Sequence, residues 1–273
     1  MTDSQFPPGC DESARVALVV GASRGIGTTV AWSLAQQHCQ VVLAARNTDA
    51  LQAVTDKIVA DGHSAIWQRT DVTDEDSVAG AVEATVRAFG RLDIAVNLAN
   101  QTKPPAPLAE TDTEGFDQGM ATSVRGTFLA MKYQIPAMIQ SGGGVITNIV
   151  SVAGVTAIPG LSTYVAGKAA IIALTKVAAL DYATKGIRVN AIAPGPINTY
   201  RVNSPSADGP GRGIVATVPM QRIGQPEEVA NTVLWLSSPA AAFVTGTVIP
   251  VDGGQLAGGI IPPRPARTEQ ASV

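Results

Sequence analysis

The sequence predicts a single α/β domain built on one doubly wound, parallel sheet of about seven strands. Short apolar runs such as Val16–Val20 alternate with longer segments of helical periodicity along most of the chain. A continuous apolar run is typical of a strand that is covered on both faces. Regular alternation of strand and helix favours a parallel sheet with helices on both sides.

Each expected strand is an apolar run bounded by turn residues or helical segments. The expected strands are Val16–Val20, Val41–Ala45, Ala65–Arg69, Leu92–Leu98, Val145–Ser151, Ile187–Ala193 and Val248–Val251. Helices are expected from the first glycine turn to about Gln37, over about 48–60, 73–89, 113–136 and 162–183, and from Pro226. The stretch Thr73-Asp-Glu-Asp76 suits a helix N-terminal cap, and proline suits a first helical turn. The pattern assigns residues 14–256 to the domain, 1–13 to a polar N-terminal tail and 257–273 to an irregular C-terminal tail.

Composition narrows the class of protein. A formal net charge of -3 over 273 residues gives no reason to expect a nucleic-acid partner or an anionic membrane surface. The N-terminus lacks a signal-peptide pattern, and no apolar run reaches the roughly 18 residues that a membrane helix needs. Cys10, Cys39, His38 and His63 do not show the sequence spacing of a metal-binding motif. No metal is therefore expected. The expected location is the cytoplasm.

A glycine turn follows the first strand and opens the first helix. Gly21, Gly25 and Gly27 form a G-x-x-x-G-x-G pattern. Glycines let the backbone approach a pyrophosphate, and the free N–H groups of a helix N-terminus bind it. The turn therefore indicates a dinucleotide site, although a plain tight turn is the alternative.

Ser151, Tyr164 and Lys168 form the candidate catalytic group. Ser151 ends a predicted strand, and the i,i+4 spacing of Tyr164 and Lys168 places them on one helix face. A free phenol has a pKa of about 10, and a neighbouring ammonium lowers it by favouring the phenolate. The set would serve as an acid/base site, but Tyr-x-x-x-Lys also occurs by chance in ordinary helices.

Together these motifs resemble the short-chain dehydrogenase/reductase family, and in particular its 3-oxoacyl-acyl carrier protein reductase-like members. The resemblance rests on Ser151, Tyr164 and Lys168, on the glycine turn, on Asp71-Val72 and on the segment 188–195, and it spans about residues 14–256. It implies a Rossmann fold, a nicotinamide cofactor, a small carbonyl or alcohol substrate, and a homo-oligomer, tetramer or dimer, formed through the helices at 113–136 and 162–183 and through the last strand.

The family's cofactor-binding positions carry over onto this chain motif by motif. They are Gly21, Ser23, Arg24, Gly25, Ile26, Gly27, Arg46, Asp71, Val72, Asn97, Ala99, Tyr164, Lys168, Pro194, Gly195, Ile197 and Thr199. The chain departs from the family's pattern at Val20, where threonine is common, and at Leu98 and Asn100, which replace a second asparagine and a glycine.

Charge at the end of the second strand indicates which cofactor is preferred. An NAD site carries an acidic residue there for the ribose 2′-hydroxyl. This chain has Ala44-Ala45-Arg46-Asn47 instead. Arg46 and Arg24 favour NADP(H) over NAD(H), with two solvated surface arginines as the alternative.

The resemblance implies that Tyr164 is the general acid or base, that Lys168 holds the nicotinamide ribose and that Ser151 orients the substrate oxygen. Ser123 stands where the family has the asparagine of a proton-relay water, so it could hold that water. Alternatively, its hydroxyl only bonds a backbone carbonyl one turn earlier. A redox-sensing regulator that binds NADP(H) without turnover is the alternative function.

The stretch 200–222 is expected to cover the substrate. It is rich in glycine and proline. Its arginines, Arg201, Arg212 and Arg222, could meet an acidic substrate or simply be solvated.

Overall fold

All seven expected strands pair in one parallel sheet of the computed structural model, which describes residues 14–101, 104–199 and 217–258. The strands are β1 Val16–Val20, β2 Gln40–Ala45, β3 Ala65–Arg69, β4 Ile94–Asn97, β5 Gly144–Ile149, β6 Ile187–Pro194 and β7 Val248–Val251. Their order is β3-β2-β1-β4-β5-β6-β7, and every neighbouring pair is parallel. The expected doubly wound sheet is confirmed.

Seven α-helices connect or flank these strands in the described part of the chain. They are α1 Ile26–Gln36, α2 Thr48–Ala60, α3 Glu75–Phe89, α4 Thr113–Met120, α5 Gly126–Gln140, α6 Ser162–Tyr182 and α7 Pro226–Leu236. A π-helical turn, Ala121–Arg125, joins α4 to α5, so the expected long helix at 113–136 is real but interrupted. It continues past Pro136 to Gln140.

The sheet separates two apolar layers, because successive strand residues point to opposite faces. On β1, Ala17 and Val19 join the buried cluster formed with α1, α2 and α7. Val16 and Leu18 pack instead with α3, α5 and α6. Both faces of the strand are fully buried, which explains why its sequence is an uninterrupted apolar run.

The strand order creates the crevice where a ligand can bind. Strands β2 and β4 flank β1 on opposite sides, so the chain reverses its direction of winding at that point. In open parallel sheets, ligands bind beyond the carboxyl ends of the strands at such a reversal. The glycine turn follows β1 directly and therefore lies at this crevice.

Helix α6 differs from one expectation. With the turn after it, Ser162–Lys185 is long and apolar enough to cross a membrane by length and composition, with a mean hydropathy of 1.4. The sequence expectation that no stretch reaches this length was therefore wrong for α6. The helix packs against β6 and carries the buried Lys168, and 33% of its apolar window is buried. The predicted N-terminal tail, 1–13, lies outside the described residues. The same holds for the predicted C-terminal tail, 257–273, after residue 258, and for residues 200–216 of the segment predicted to cover the substrate.

Candidate active site

A cleft of about 890 Å³ opens at the carboxyl ends of the strands. Its walls come from the glycine turn, the ends of β2 and β4, the segment after β5, helix α6 and the segment after β6. Most of the predicted cofactor-binding and catalytic residues line it. These are Gly21, Ser23, Arg24, Gly25, Ile26, Gly27, Arg46, Val72, Ala99, Ser151, Tyr164, Lys168, Pro194, Gly195, Ile197 and Thr199.

The glycine turn is shaped so that only glycine fits. Gly21 has φ +97°, and an added Cβ would stand 3.0 Å from the backbone nitrogen of Ala99. A Cβ on Gly27 would collide with the carbonyl oxygen of Gly21. Gly25 has φ +57° and is the N-cap of α1, without a side-chain hydrogen bond to the helix. The helix N-terminus thus faces the cleft with its first N–H groups uncapped by a side chain, a feature that suits a pyrophosphate.

The described lining of the cleft carries positive charge and no carboxylate. Arg24 lies in the glycine turn, Arg46 follows β2, and Lys168 lies on α6; all three line the cleft. The last residues of β2, Ala44 and Ala45, also line the cleft. The charged side chains of the described lining are therefore all cationic.

Asp71 and Asn97 lie beside the cleft but do not line it. The Asp71 carboxylate accepts hydrogen bonds from the backbone nitrogen and hydroxyl of Thr73. Partial burial raises the pKa of Asp71, but these bonds, with Arg46 and Arg69, outweigh it and leave the pKa below its ordinary value. Asp71 therefore shapes the turn that presents Val72 to the cleft.

Asn97 belongs to a buried amide network behind the cleft. It exchanges two hydrogen bonds with Gln134, at 3.1 and 2.9 Å, and donates to Asn148 at 2.9 Å. Asn148 in turn donates to Thr175 on α6 at 2.9 Å. The network ties β4 and β5 to the helices that carry the site.

Ser151 follows β5 and enters a short 3₁₀ turn, Val152–Gly154. Its hydroxyl oxygen accepts a hydrogen bond from the Ala153 nitrogen at 3.2 Å. The residue is 8% exposed and lines the cleft. Because the backbone bond uses only an acceptor position, the hydroxyl proton remains available for donation.

Tyr164 and Lys168 lie on one face of α6, as their spacing predicts. The Lys168 ammonium stands 5.7 Å from the centroid of the Tyr164 ring and donates to the carbonyl oxygen of Ile149 at 2.9 Å. Lys168 is only 3% exposed, whereas Tyr164 is half-buried. A buried cation is thus held beside a phenol that reaches the cleft, and this is the arrangement that an acid/base site needs.

Ser123 is not brought to the cleft. Its side chain is 4% exposed and donates to the Gly119 carbonyl oxygen at 2.6 Å, which is the packing arrangement named as the alternative. The neighbouring Thr122 lines the cleft instead. The π-helical turn inserts one residue into the helical register, so the face presented to the cleft shifts by one position.

The segment after β6 closes the site. Gly195 donates its backbone N–H to Val251 of β7 at 3.0 Å, and an added Cβ would stand 2.9 Å from Asp252. Ile197 is buried, and its neighbours pair with Gly224. Thr199 lies against Gly25 of the glycine turn. Arg222, proposed as a possible contact for an acidic substrate, instead pairs with Glu228 through two bonds of 2.7 and 2.8 Å.

Sequence reasoning missed several residues of the cleft and a second cavity beside it. The missed lining residues include Thr70, Asn47, Ala50 and Thr122. Their closeness in sequence to predicted site residues was the one signal that could have identified them. The second cavity, of about 220 Å³, lies between the segment after β4 and the start of α6, and Tyr164 lines both spaces.

The parallel sheet and the cleft beside its glycine turn are those of a dinucleotide-binding fold. A family model described as enoyl-(acyl carrier protein) reductase matches residues 21–255. The chain belongs to the short-chain dehydrogenase/reductase family, and it is an oxidoreductase of that family.

Two of the similar proteins are named for reactions at an alcohol or a ketone. A cyclohexanol dehydrogenase of Acinetobacter sp. (strain SE19) is 40% identical over 88% of this chain and 94% of its own length. A 3-oxoacyl-[acyl-carrier-protein] reductase of Synechocystis sp. (strain ATCC 27184 / PCC 6803 / Kazusa) is 39% identical over 89% of this chain and 98% of its own. Both names describe oxidation or reduction at an alcohol or ketone carbon.

Two solved structures share the fold over most of their length. A short-chain type dehydrogenase/reductase from Mycobacterium ulcerans has a TM-score of 0.85 at 34% identity, and the match covers 88% of this chain and 89% of the other. A variant of actinorhodin polyketide ketoreductase with NADPH has a TM-score of 0.85 at 31% identity, over 90% of this chain and 98% of the other.

Proposed function

We propose that this protein is an NADP(H)-dependent dehydrogenase/reductase that interconverts a small ketone and its secondary alcohol. The observation that carries the proposal is that Ser151, Tyr164 and Lys168 line the same cleft as the glycine turn. The cofactor, when bound, supplies or accepts the hydride. The chain's own residues would bind, orient and move the proton.

Proton transfer is assigned to the Tyr164 hydroxyl. In reduction the phenol donates its proton to the oxygen of the former carbonyl, and in oxidation the phenolate accepts it. Lys168 supports the phenolate electrostatically, because the cation is held close to the ring by the Ile149 carbonyl. Ser151, whose backbone-bonded oxygen leaves its proton free, donates to the same substrate oxygen and fixes its position.

The preference for NADP(H) rests on charge. Arg24 and Arg46 line the cleft, and no Asp or Glu is found in its described lining. A 2′-phosphate adds negative charge at this end of the cofactor, so cations there favour the phosphorylated form. The relationship to a ketoreductase whose structure is with NADPH supports this assignment.

We also propose a cytoplasmic homo-oligomer, a tetramer or dimer. Helices α5 and α6 carry large apolar side chains that a single chain leaves exposed: Phe128 at 48%, Val177 at 55% and Leu180 at 82%. Large exposed apolar side chains on two helices that contact each other favour association with another copy. Burial of these side chains between copies would also explain why α6 is so apolar overall.

Turnover separates this proposal from a regulator that only binds the cofactor. Purified protein is assayed with NADPH and with NADH against a panel of small cyclic and linear ketones, next to Tyr164→Phe. The proposal expects turnover with NADPH that falls by about 10²-fold or more in the variant, while NADPH binding persists. A wild-type protein that binds NADPH and turns over no ketone or alcohol would contradict it, and a higher kcat/KM with NADH would overturn the cofactor preference.

A further inference from the structure

The second cavity is built from two segments that are joined to each other. The backbone nitrogen of Ala106 donates to the Gly160 carbonyl oxygen at 3.0 Å, and Ala106 and Leu161 form an isolated parallel bridge. The hydroxyls of Thr111 and Ser162 are 2.9 Å apart. These links connect the segment after β4 to the start of α6, so the walls of the cavity are formed in the isolated chain.

The cavity has the size of a small ring. A volume of about 220 Å³ equals roughly seven times the share of one water molecule in the liquid, which is about 30 Å³. A six-membered ring with one substituent fills such a space. Because Tyr164 lines both the cavity and the cofactor cleft, a ring held in the cavity can present its reacting carbon to the tyrosine.

Gln101 offers a hydrogen-bond donor in this cavity. Its amide oxygen accepts a bond from the Thr122 hydroxyl at 3.2 Å, and Thr122 lies on the cofactor side. In this orientation the amide oxygen faces Thr122 and the amide nitrogen is the other arm of the side chain. The amide nitrogen has no hydrogen-bond partner in the described residues, and Gln101 lines the cavity. An amide oriented in this way can donate to a ligand.

The charge of the cavity restricts what Gln101 can recognise. Glu110 and Asp112 line it, and no Lys or Arg is found in its described lining. Asp112 is the N-cap of α4, and its carboxylate accepts a hydrogen bond from the Gly115 nitrogen at 2.7 Å. A substrate carboxylate would approach these two carboxylates, with no cation among the described lining residues, whereas an uncharged hydroxyl or carbonyl oxygen would not be repelled.

We infer that Gln101 is a specificity-determining residue that donates a hydrogen bond to a second, uncharged oxygen of the substrate, on the part of the molecule away from the reacting carbonyl. The inference rests on the proposed function and narrows its substrate class to small, uncharged ketones or alcohols that carry another oxygen acceptor.

The test compares three ketones with the NADPH-bound enzyme: cyclohexanone, 4-hydroxycyclohexanone and 4-oxocyclohexanecarboxylate. Wild type should give the highest kcat/KM with the hydroxyketone and the lowest with the carboxylate. Gln101→Leu should lower the hydroxyketone-to-cyclohexanone ratio about three- to tenfold, as the loss of one hydrogen bond implies. Glu110→Gln should raise the value for the carboxylate relative to cyclohexanone.

Matched control variants lie on the neighbouring helix, outside the cavity. Gln118 and Glu114 are exposed on α4 and bond to each other at 2.9 Å. Gln118→Leu and Glu114→Gln should leave all three ratios within about twofold of wild type. A Gln101→Leu ratio equal to that of Gln118→Leu would overturn the inference, even if the ketones are turned over.

Binding decides the inference when turnover does not. Dissociation constants of the same three ketones are measured by ligand-observed NMR on the NADP⁺ complex of wild type and Gln101→Leu. If no ketone is turned over but the hydroxyketone binds more tightly than cyclohexanone in wild type and not in Gln101→Leu, the proposed function is contradicted and the inference is supported. Equal binding of cyclohexanone and the hydroxyketone, or no binding of either, would overturn the inference.

Discussion

Replacing Gly154 by alanine should lower kcat/KM more than it weakens NADPH binding. Gly154 ends the 3₁₀ turn after Ser151 and packs directly on α6. An added Cβ would stand 2.8 Å from the carbonyl carbon and from the Cβ of Lys168, and 3.0 Å from its carbonyl oxygen. Ordinary contact begins at 3.4 Å, so the turn and the helix must separate by about 0.6 Å.

This separation acts between the two halves of the proposed catalytic group. Lys168 is held by its bond to Ile149, and Ser151 is held by its bond from Ala153, so neither residue can follow the other freely. A misplacement of about 1 Å can cost roughly 10²-fold in rate. We therefore expect kcat/KM to fall about tenfold, with an overpacking cost of about 1–3 kcal/mol in the free energy of unfolding.

The assay measures kcat/KM at a temperature where each variant is folded, the Kd of NADPH by fluorescence titration, and Tm. Gly80→Ala is the matched control, because Gly80 lies in α3 with nothing within 4 Å of an added Cβ. It should gain about 0.5–1 kcal/mol in stability and keep wild-type activity. A Gly154→Ala enzyme with more than half of the wild-type kcat/KM would refute the reasoning.

Three further outcomes are expected. Arg46→Asp should shift the ratio of kcat/KM for NADPH over NADH by tenfold or more towards NADH. Two unit charges 4 Å apart interact by about 1 kcal/mol in water and about 4 kcal/mol at an effective dielectric of 20. An unchanged ratio in steady-state assays would exclude Arg46 from the phosphate site. Ser123→Ala should lower the free energy of unfolding by about 1 kcal/mol, because it removes the hydrogen bond from the Ser123 hydroxyl to the Gly119 carbonyl oxygen. The kcat should stay unchanged across the pH range. A lower kcat at unchanged NADPH affinity would instead support the relay role. The Arg222 guanidinium, with the Gln225 backbone N–H, holds the pKa of Glu228 at about 2, so the pair stabilises the fold fully above about pH 4.5 and loses that contribution as pH falls towards 2. On this exposed pair the Glu228→Gln variant should lose at most about 1 kcal/mol at pH 7 and nothing near pH 2, as measured by urea titration at both values.

Much of the fold could be predicted from sequence, because the signals involved are local. An apolar run such as Val16–Val20 reports that both faces of a strand are covered, and a glycine turn followed by helical periodicity reports a strand-to-helix turn. The i,i+4 spacing of Tyr164 and Lys168 fixes their common face by helix geometry alone. Each of these properties depends on neighbours within a few residues, so no knowledge of the tertiary structure was required.

The placement of Ser123 shows where local signals fail. A regular helix through 113–136 would carry Ser123 at a position fixed by the 3.6-residue repeat. The π-helical turn at Ala121–Arg125 adds one residue to that repeat, and Thr122 faces the cleft in its place. A Cβ added at Gly126 would stand 2.9 Å from the Val72 side chain. The register of this helix is therefore set by its packing against another part of the chain.

The sequence by itself determined the strands, the glycine turn, the pairing of Tyr164 with Lys168 and the positive charge expected beside the cofactor, because short-range periodicity and residue chemistry specify them. Only the tertiary structure decided that Lys168 is anchored on the Ile149 carbonyl, that Asn97 and Asn148 link the sheet to α6, and that Gln101 meets Thr122 beside a second cavity. Those contacts join residues far apart in the chain. Their geometry follows from how the packed helices and strands are arranged in space, which no local pattern encodes.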